Sequence, residues 1–253
     1  MVRKNKKITA ALLVIGNEIL SGRTTDQNVS YLASWLNNSL GIKVGEVRIV
    51  PDVEKKIIKS VLALSKSYNY VLTTGGIGPT HDDITSKSIS KSFKKKYTYH
   101  KEAYSILEKY YGKKNFNDPR KKMAKMPEGA KLVFNPSSAA PGFVIKNVIC
   151  LPGVPSILKS MSGNLKKYLK PGLKTYSLTV SVETIESNIA KRLETVQKKY
   201  RKFVEIGSYP FFRLGKIGIS IVIRSTNKIS LQSCHKAIIK MLRNKKIKIF
   251  RGV

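Results

Sequence analysis

The chain begins with two contrasting hydrophobic rhythms. Ile8 to Ile15 is a continuous apolar run interrupted only by Thr9. A strand buried on both faces of a parallel sheet has this pattern. Gly16 ends it. Thr25 and Asp26 are good N-caps, and behind them Val29, Leu32, Ala33, Leu36 and Leu40 recur at helical spacing until Gly41 stops the helix. Val44 to Val50 alternates apolar and polar as a second strand. Pro51-Asp52 opens a second helix with Ile57, Ile58, Val61 and Leu62 on one face. Tyr70 to Thr74 is a third strand that runs straight into glycines. Strand–helix–strand–helix–strand with short links predicts a mostly parallel sheet with right-handed crossovers and helices on both faces, an α/β architecture in three layers.

Residues 84–126 read as helical and lysine-rich. Pro127-Glu128-Gly129 turns the chain, and strands follow at Lys131–Phe134, Gly142–Ile145 and Asn147–Leu151. A helix after Pro152-Gly153-Val154-Pro155 runs to about Tyr168. Pro171-Gly172 marks a domain boundary, giving 1–170 and 171–253. Past it the order is strand (Tyr176–Val182), helix, strand (Val204–Tyr209), strand (Ile217–Arg224), helix and a last strand at Ile247–Phe250. This βαββαβ order predicts a small α+β domain.

Composition adds one unusual number. Among 253 residues, 48 are Lys or Arg and 15 are Asp or Glu, a formal net charge of +33. Such a balance ordinarily points to nucleic acid or an anionic membrane. Here the lysines are spread over nearly every segment, so most of the charge is expected to be solvated surface that steers anionic ligands, and nucleic acid is not expected as a partner. No apolar window approaches the ~20 residues of a membrane helix. The basic start, Met1 to Lys7, precedes too short an apolar run for an export signal, and a cytoplasmic protein with no membrane partner is expected. Cys150 and Cys234 stand far apart and outside any Cys/His cluster, as two reduced thiols would.

The strongest candidate for chemistry is Thr73-Thr74-Gly75-Gly76-Ile77-Gly78-Pro79-Thr80-His81-Asp82-Asp83. Ligands of open α/β sheets bind outside the carboxyl ends of the strands. Gly75, Gly76 and Gly78 let the backbone approach a ligand, and successive N–H groups make an anion cradle. Asp82 and Asp83 have two readings: caps of the helix beginning near Ile84, or ligands of a divalent cation that also holds substrate phosphates. The loop lacks the ending of a Walker motif and is not GxGxxG. His81 is a solvent-facing turn residue in one reading and a general acid or phosphate contact in the other. Further candidates at the same edge are Asn17 and Glu18, Asp26 (helix cap or ligand contact), Ser137 and Ser138 in the loop Asn135–Pro141, and Gly153 between two prolines.

Taken together, Ile15-Gly16-Asn17-Glu18-Ile19-Leu20-Ser21-Gly22 with Asp26 and Asn28, then GGIGPTHDDIT, Met126-Pro127-Glu128-Gly129-Ala130, NPSSAAPGF and LPGVP resemble the competence/damage-inducible protein A (CinA) family in order and spacing. The resemblance spans roughly residues 8–168 and extends, through Glu186-Ser187, Ile189-Ala190, Leu193 and Ser208-Tyr209-Pro210, to that family's small second domain. It implies a molybdopterin-binding-like (MoaB/Mog) fold, whose members include molybdopterin adenylyltransferases. It also implies similarity to a metal-dependent ADP-ribose pyrophosphatase and to the FAD-hydrolysing part of eukaryotic FAD synthase. The sequence stops before any counterpart of the nicotinamide mononucleotide deamidase domain of longer relatives, so that activity is not expected. The resemblance assigns metal and phosphate chemistry to Asp83, a first acidic position to Asp26, and the phosphate cradle to Gly75, Gly76, Gly78 and Thr80; Asp82 as a second metal ligand and Pro79 beside the cradle complete the expected site. Magnesium or cobalt, with potassium, is the implied cofactor set, molybdopterin an alternative ligand, a nucleotide or pterin the small-molecule partner, and a homo-oligomer the implied assembly. Three positions depart from the pattern: Asn17 for Asp, Ser138-Ala139 for Gly-Thr, and Ile157 for Glu. The expected function is hydrolysis of a nucleotide diphosphate linkage, with a non-catalytic molybdopterin- or nucleotide-binding protein as the alternative.

Overall fold

A computed structural model describes residues 7–213 and 215–250. Residues 1–6, most of the basic start, lie outside the described residues. The chain divides into two compact units, Met1–Leu173 and Lys174–Val253, just past Pro171-Gly172.

The first unit is built on a six-stranded sheet. Its parallel part is formed by β1 (Thr9–Ile15), β2 (Lys43–Val50), β3 (Tyr70–Thr74) and a later strand, Val148–Leu151. The helices between them are a single turn, α1 (Asn17–Leu20), then α2 (Asn28–Leu40) and α3 (Glu54–Ser67). After β3 come α4 (Thr85–Ser92), β4 (Tyr97–Tyr99), α5 (Lys101–Tyr111), α6 (Asp118–Lys122) and β5 (Lys125–Pro127). The sheet is completed by β6 (Lys131–Val133), β7 (Gly142–Ile145) and β8 (Val148–Leu151), and α7 (Pro155–Leu165) packs beside it. The order is β2-β1-β3-β8-β7-β6, with β7 and β6 antiparallel.

The apolar run of β1 explains the layering. Ala11, Leu13 and Ile15 pack on one side with Ile57, Val61 and Leu64 of α3, Ile89 of α4 and Leu107 of α5. Ala10 and Leu12 pack on the other with Leu32 and Leu36 of α2 and Leu158, Met161 and Leu165 of α7. Both faces are therefore covered, as a parallel sheet requires. Each fully buried leucine contributes about 2–3 kcal/mol of burial. Gly41 closes α2 in the left-handed conformation, φ 63°, as expected from its place after Leu40.

Two local expectations are corrected. Residues 84–126 are not simply helical: Tyr97–Tyr99 pairs antiparallel with Lys125–Pro127 as a small ribbon, giving alternating Tyr-Thr-Tyr a partner that lysine-rich flanks concealed. The second helix opens at Glu54 with Val53 as its cap residue, so Asp52 is not a helix opener.

The second unit has β9 (Tyr176–Val182), α8 (Glu186–Tyr200), β10 (Val204–Arg213), β11 (Lys216–Ser225) and α9 (Lys228–Asn244). Its antiparallel sheet has the order β10-β11-β9. Ile189 of α8 and Leu231, Cys234, Ile238 and Leu242 of α9 pack against Val180, Val182, Ile219, Ile221 and Ile223. The expected last strand is reduced to one bridge, Val182 with Ile249. Ile247 and Ile249 still pack against the core of this unit.

Candidate functional site

Because β1, β2, β3 and β8 are parallel, Ile15, Val50, Thr74 and Leu151 all end at one edge of the sheet. β7 runs antiparallel to β8, so the loop entering it reaches the same edge. The sequence candidates therefore share a region, and it is the pairing of strands that brings them there.

Gly75 and Gly76 are required by the backbone. Gly75 has φ 97°, and a Cβ there would lie 2.1 Å from the carbonyl oxygen of Ile15; Gly76 has φ 67°, and a Cβ would lie 2.1 Å from Thr85 Oγ1. The Gly75 N–H donates to Leu151 O at 3.1 Å, and the Thr85 N–H to Gly76 O at 2.9 Å. Among the described residues no protein acceptor takes the N–H groups of Gly76, Ile77 or Gly78. Three donors of the predicted cradle thus remain free. Thr74 Oγ1 and Thr85 Oγ1, which bracket the loop, are buried without a hydrogen-bond partner, as is Asn28 Oδ1. Unsatisfied buried polar atoms are rare enough to require a cause.

Asp83 does not cap α4, which begins at Thr85. Its carboxylate accepts the Thr80 N–H at 2.8 Å and also the Thr80 hydroxyl, closing the turn on itself. That carboxylate lies where a side chain at Gly78 would sit, its Oδ2 2.7 Å from the hypothetical Cβ. Asp82 is exposed, and the polar groups of Thr80, then its own backbone N–H, and the charges of His81 and Lys122 hold it below the ordinary carboxylate range. Lys122 Nζ donates to the Thr80 carbonyl, fixing α6 against the same turn. Pro79, Thr80 and His81 are exposed on its outer side.

The residue that sequence reasoning missed is Asp52. Its Oδ2 accepts the Asn17 N–H at 2.9 Å, and its Oδ1 lies 3.5 Å from where a Cβ on Gly76 would be. Burial pushes its carboxyl above the usual value; Glu18, Asp82 and Asp83 push it the same way, against the Asn17 hydrogen bond. The Glu18 carboxylate folds back over Gly16, 2.4 Å from where a side chain there would begin. Asp52 thus sits in the negative field of three other carboxylates, beside the glycine loop. The only sequence signal was its position directly after a strand, since an aspartate at that point equally suits a helix start.

Other candidates take structural duties. Asp26 Oδ1 accepts the Val29 N–H at 2.8 Å and caps α2, worth about 1 kcal/mol. Asn28 Nδ2 donates to Gly153 O at 2.7 Å. A Cβ on Gly153 would sit 3.3 Å from Gly75 Cα, so the two loops touch backbone to backbone. In the loop Asn135–Pro141, Asn135 Oδ1 accepts the N–H groups of Ser137 (2.9 Å) and Ser138 (3.1 Å). Asn135 Nδ2 donates to Ser138 Oγ and Ala140 O, both at 2.8 Å, and Ser137 Oγ donates to Ser160 Oγ at 2.8 Å. Two of the loop's backbone donors, those of Ser137 and Ser138, are thereby engaged within the loop. His100 caps α5, accepting the Ala103 N–H at 3.4 Å. Cys150 and Cys234 are free and buried. No helix of the described residues is long and apolar enough to cross a membrane.

Residues 11–174 match the family model described as a probable molybdopterin binding domain. The chain belongs to the CinA/MoaB-like family of molybdopterin-binding domains. In this CinA-like chain, residues 174–250 match a second model, the middle domain of FAD synthase. A protein of Archaeoglobus fulgidus is 36% identical over 199 residues, covering 79% of this chain and 84% of the relative. A CinA-like protein of Fusobacterium nucleatum is 38% identical over 160 residues, 63% of this chain and 40% of the relative. The crystal structure of CinA, a protein of unknown function from Thermoplasma acidophilum, superposes with a TM-score of 0.61 at 30% identity, covering 64% of this chain and 99% of that one.

Proposed function

We propose that the first unit is a metal-dependent hydrolase of a nucleotide diphosphate linkage, of the ADP-ribose or FAD pyrophosphatase kind. The observation that carries this reading is the meeting of free N–H donors at Gly76, Ile77 and Gly78 with Asp52, Asp82 and Asp83 at one strand edge. A ligand made of phosphates alone would be repelled by those carboxylates, and a cation alone would not need the N–H groups. A phosphate–cation pair uses both.

The donor set suits a hard cation. Hard oxygen ligands fit magnesium, which takes one or two carboxylates, keeps several waters and shares substrate phosphates. Among the described residues no group of three or more His, Cys, Asp or Glu side chains is placed to hold a metal ion, so substrate phosphates and water would have to complete the coordination. Asp83 and Asp52 would hold the cation, with Asp82 at the rim, and the cation would supply charge neutralisation on the phosphoryl oxygens. The chain itself would do the rest. The N–H groups of Gly76, Ile77 and Gly78 would orient the non-bridging oxygens and stabilise charge as it develops. Thr85 Oγ1 and Thr74 Oγ1 would gain the partners they lack. Water would attack one phosphorus, the P–O anhydride bond would break, and AMP and the second phosphate ester would leave.

The direct test is AMP release from ADP-ribose or FAD with magnesium, cobalt or potassium. A folded protein that releases no AMP under any of these conditions overturns the hydrolase. Position 17 favours the second reading, a molybdopterin- or nucleotide-binding protein without turnover, because its side chain is a neutral amide where a further carboxylate would add a cation ligand. Thermal stabilisation by a nucleotide or pterin without product would establish that reading instead.

A further inference from the structure

The second unit carries a charged feature that the strand-edge site does not use. Near the end of α8, Tyr200 Oη lies 3.1 Å from Ser233 Oγ, near the start of α9, so the first half of α8 faces the second half of α9. Between them runs a groove of about 460 Å³ lined by Arg192, Ala237, Lys240, Met241, Asn244 and Lys245. That volume falls in the range of small-ligand sites, roughly 300–1,000 Å³.

No carboxylate lines the groove. The glutamates of this unit are engaged elsewhere: Glu183 with Lys248 at 3.2 Å, Glu194 with Lys198 at 2.5 Å, and Glu186 with Ser208 Oγ at 2.6 Å, while Glu205 stands on β10 opposite Arg224. Among the described residues Arg192, Lys240 and Lys245 form no ion pair. The C-terminal dipole of α9 offsets about half a charge, leaving about two and a half positive charges facing one another across a shared space. Their mutual repulsion is relieved by an anion of similar charge. Asn244 adds an amide donor, and Ala237 and Met241 form an apolar floor.

We propose that this groove binds a small diphosphate-bearing anion. The oxygens of two adjoining phosphates give three cations acceptors to share, and the floor of Ala237 and Met241 suits the organic part of a nucleotide. A single-stranded nucleic acid is a poorer match, because such sites stack bases on aromatic side chains and none of the six lining residues is aromatic. The inference does not depend on the hydrolase reading, since it concerns other residues.

The test is titration of the full chain, in the Asp83→Asn background, with pyrophosphate and with ADP at physiological salt. Arg192→Gln combined with Lys240→Gln is expected to weaken binding at least tenfold. The charge-matched control, Lys191→Gln with Lys236→Gln on exposed positions outside the groove, is expected to change it less than twofold. Equal weakening in both pairs means diffuse charge and overturns the site. Displacement of pyrophosphate by single-stranded RNA, with affinity rising with strand length, overturns it in favour of a polynucleotide surface. Should the groove variant fail to fold, amide chemical shifts of the Asp83→Asn chain decide: pyrophosphate-induced changes centred on Ala237–Lys245 support the groove, and their absence there overturns it.

Discussion

Two loops at the same sheet edge look alike in sequence and differ in structure. Both the 75–83 loop and the 135–141 loop are rich in small residues and directly follow or precede strands. In the first, the N–H groups of Gly76, Ile77 and Gly78 are unclaimed and glycine is forced at two positions by contacts near 2.1 Å. In the second, one buried asparagine, 2% exposed, takes two N–H groups and donates twice. The difference teaches that an anion cradle is defined by donors left without partners and that small residues alone do not identify one.

That contrast can be broken by mutation. The largest expected effect is on turnover: Asp83→Asn is predicted to lower AMP release at least ~100-fold, the scale of losing a charge-stabilising group. Ser138→Ala in the other loop should change it less than about threefold. A Ser138→Ala loss as large as that of Asp83→Asn would erase the distinction. Gly76→Ala should cost about 3 kcal/mol or more, since it combines a strained φ with a clash on Thr85; denaturant unfolding would measure it. Asn135→Ala should cost about 2–3 kcal/mol by removing four part-buried hydrogen bonds, while activity per folded molecule stays within about threefold.

A smaller and signed effect belongs to Asp52. Burial and three neighbouring carboxylates make it hold its proton more tightly when folded than when unfolded. Its ionisation therefore opposes folding. That penalty is absent below the unfolded value near ~3.9 and is complete once the pH passes the raised folded value. Asp52→Asn is predicted to be more stable than the parent at pH 7, by less than about 1 kcal/mol because the group is partly solvated, or about 1–3 °C in Tm. The gain should vanish near pH 3, and AMP release should fall in the same variant. Loss of stability at pH 7 would contradict the placement. Least visible of all, Cys150, whose thiol burial pushes up to about 12, should resist thiol reagents in the native protein at neutral pH.

The parallel core was legible because its signal is local. Eight residues from Ile8 to Ile15, Gly41 after a helical stripe and glycines after Tyr70–Thr74 each state their own conformation. The ribbon of Tyr97–Tyr99 with Lys125–Pro127 was not legible, because three residues of alternation acquire meaning only from a partner far along the chain. Asp52 was missed for the same reason. What places it beside the glycine loop is the adjacency of β1 and β2, which brings Asn17 to it, and no spacing within Pro51-Asp52 encodes that. Asp26 was legible as a cap, and the structure gives it that work. That the Ser137 and Ser138 N–H groups are engaged by Asn135 was not legible, because residue type says nothing about whether a donor already has a partner.

The touching backbones of Gly75 and Gly153, with Asn28 reaching the second loop from 125 residues away in sequence, set the order of events during folding. This strand edge has no subassembly: its parts meet only after β1, β3 and β8 have paired in parallel, contacts of high sequence separation that form slowly. In a refolding experiment, helical signal should return first and AMP release last, so that recovered turnover would serve as a clock for completion of the central sheet.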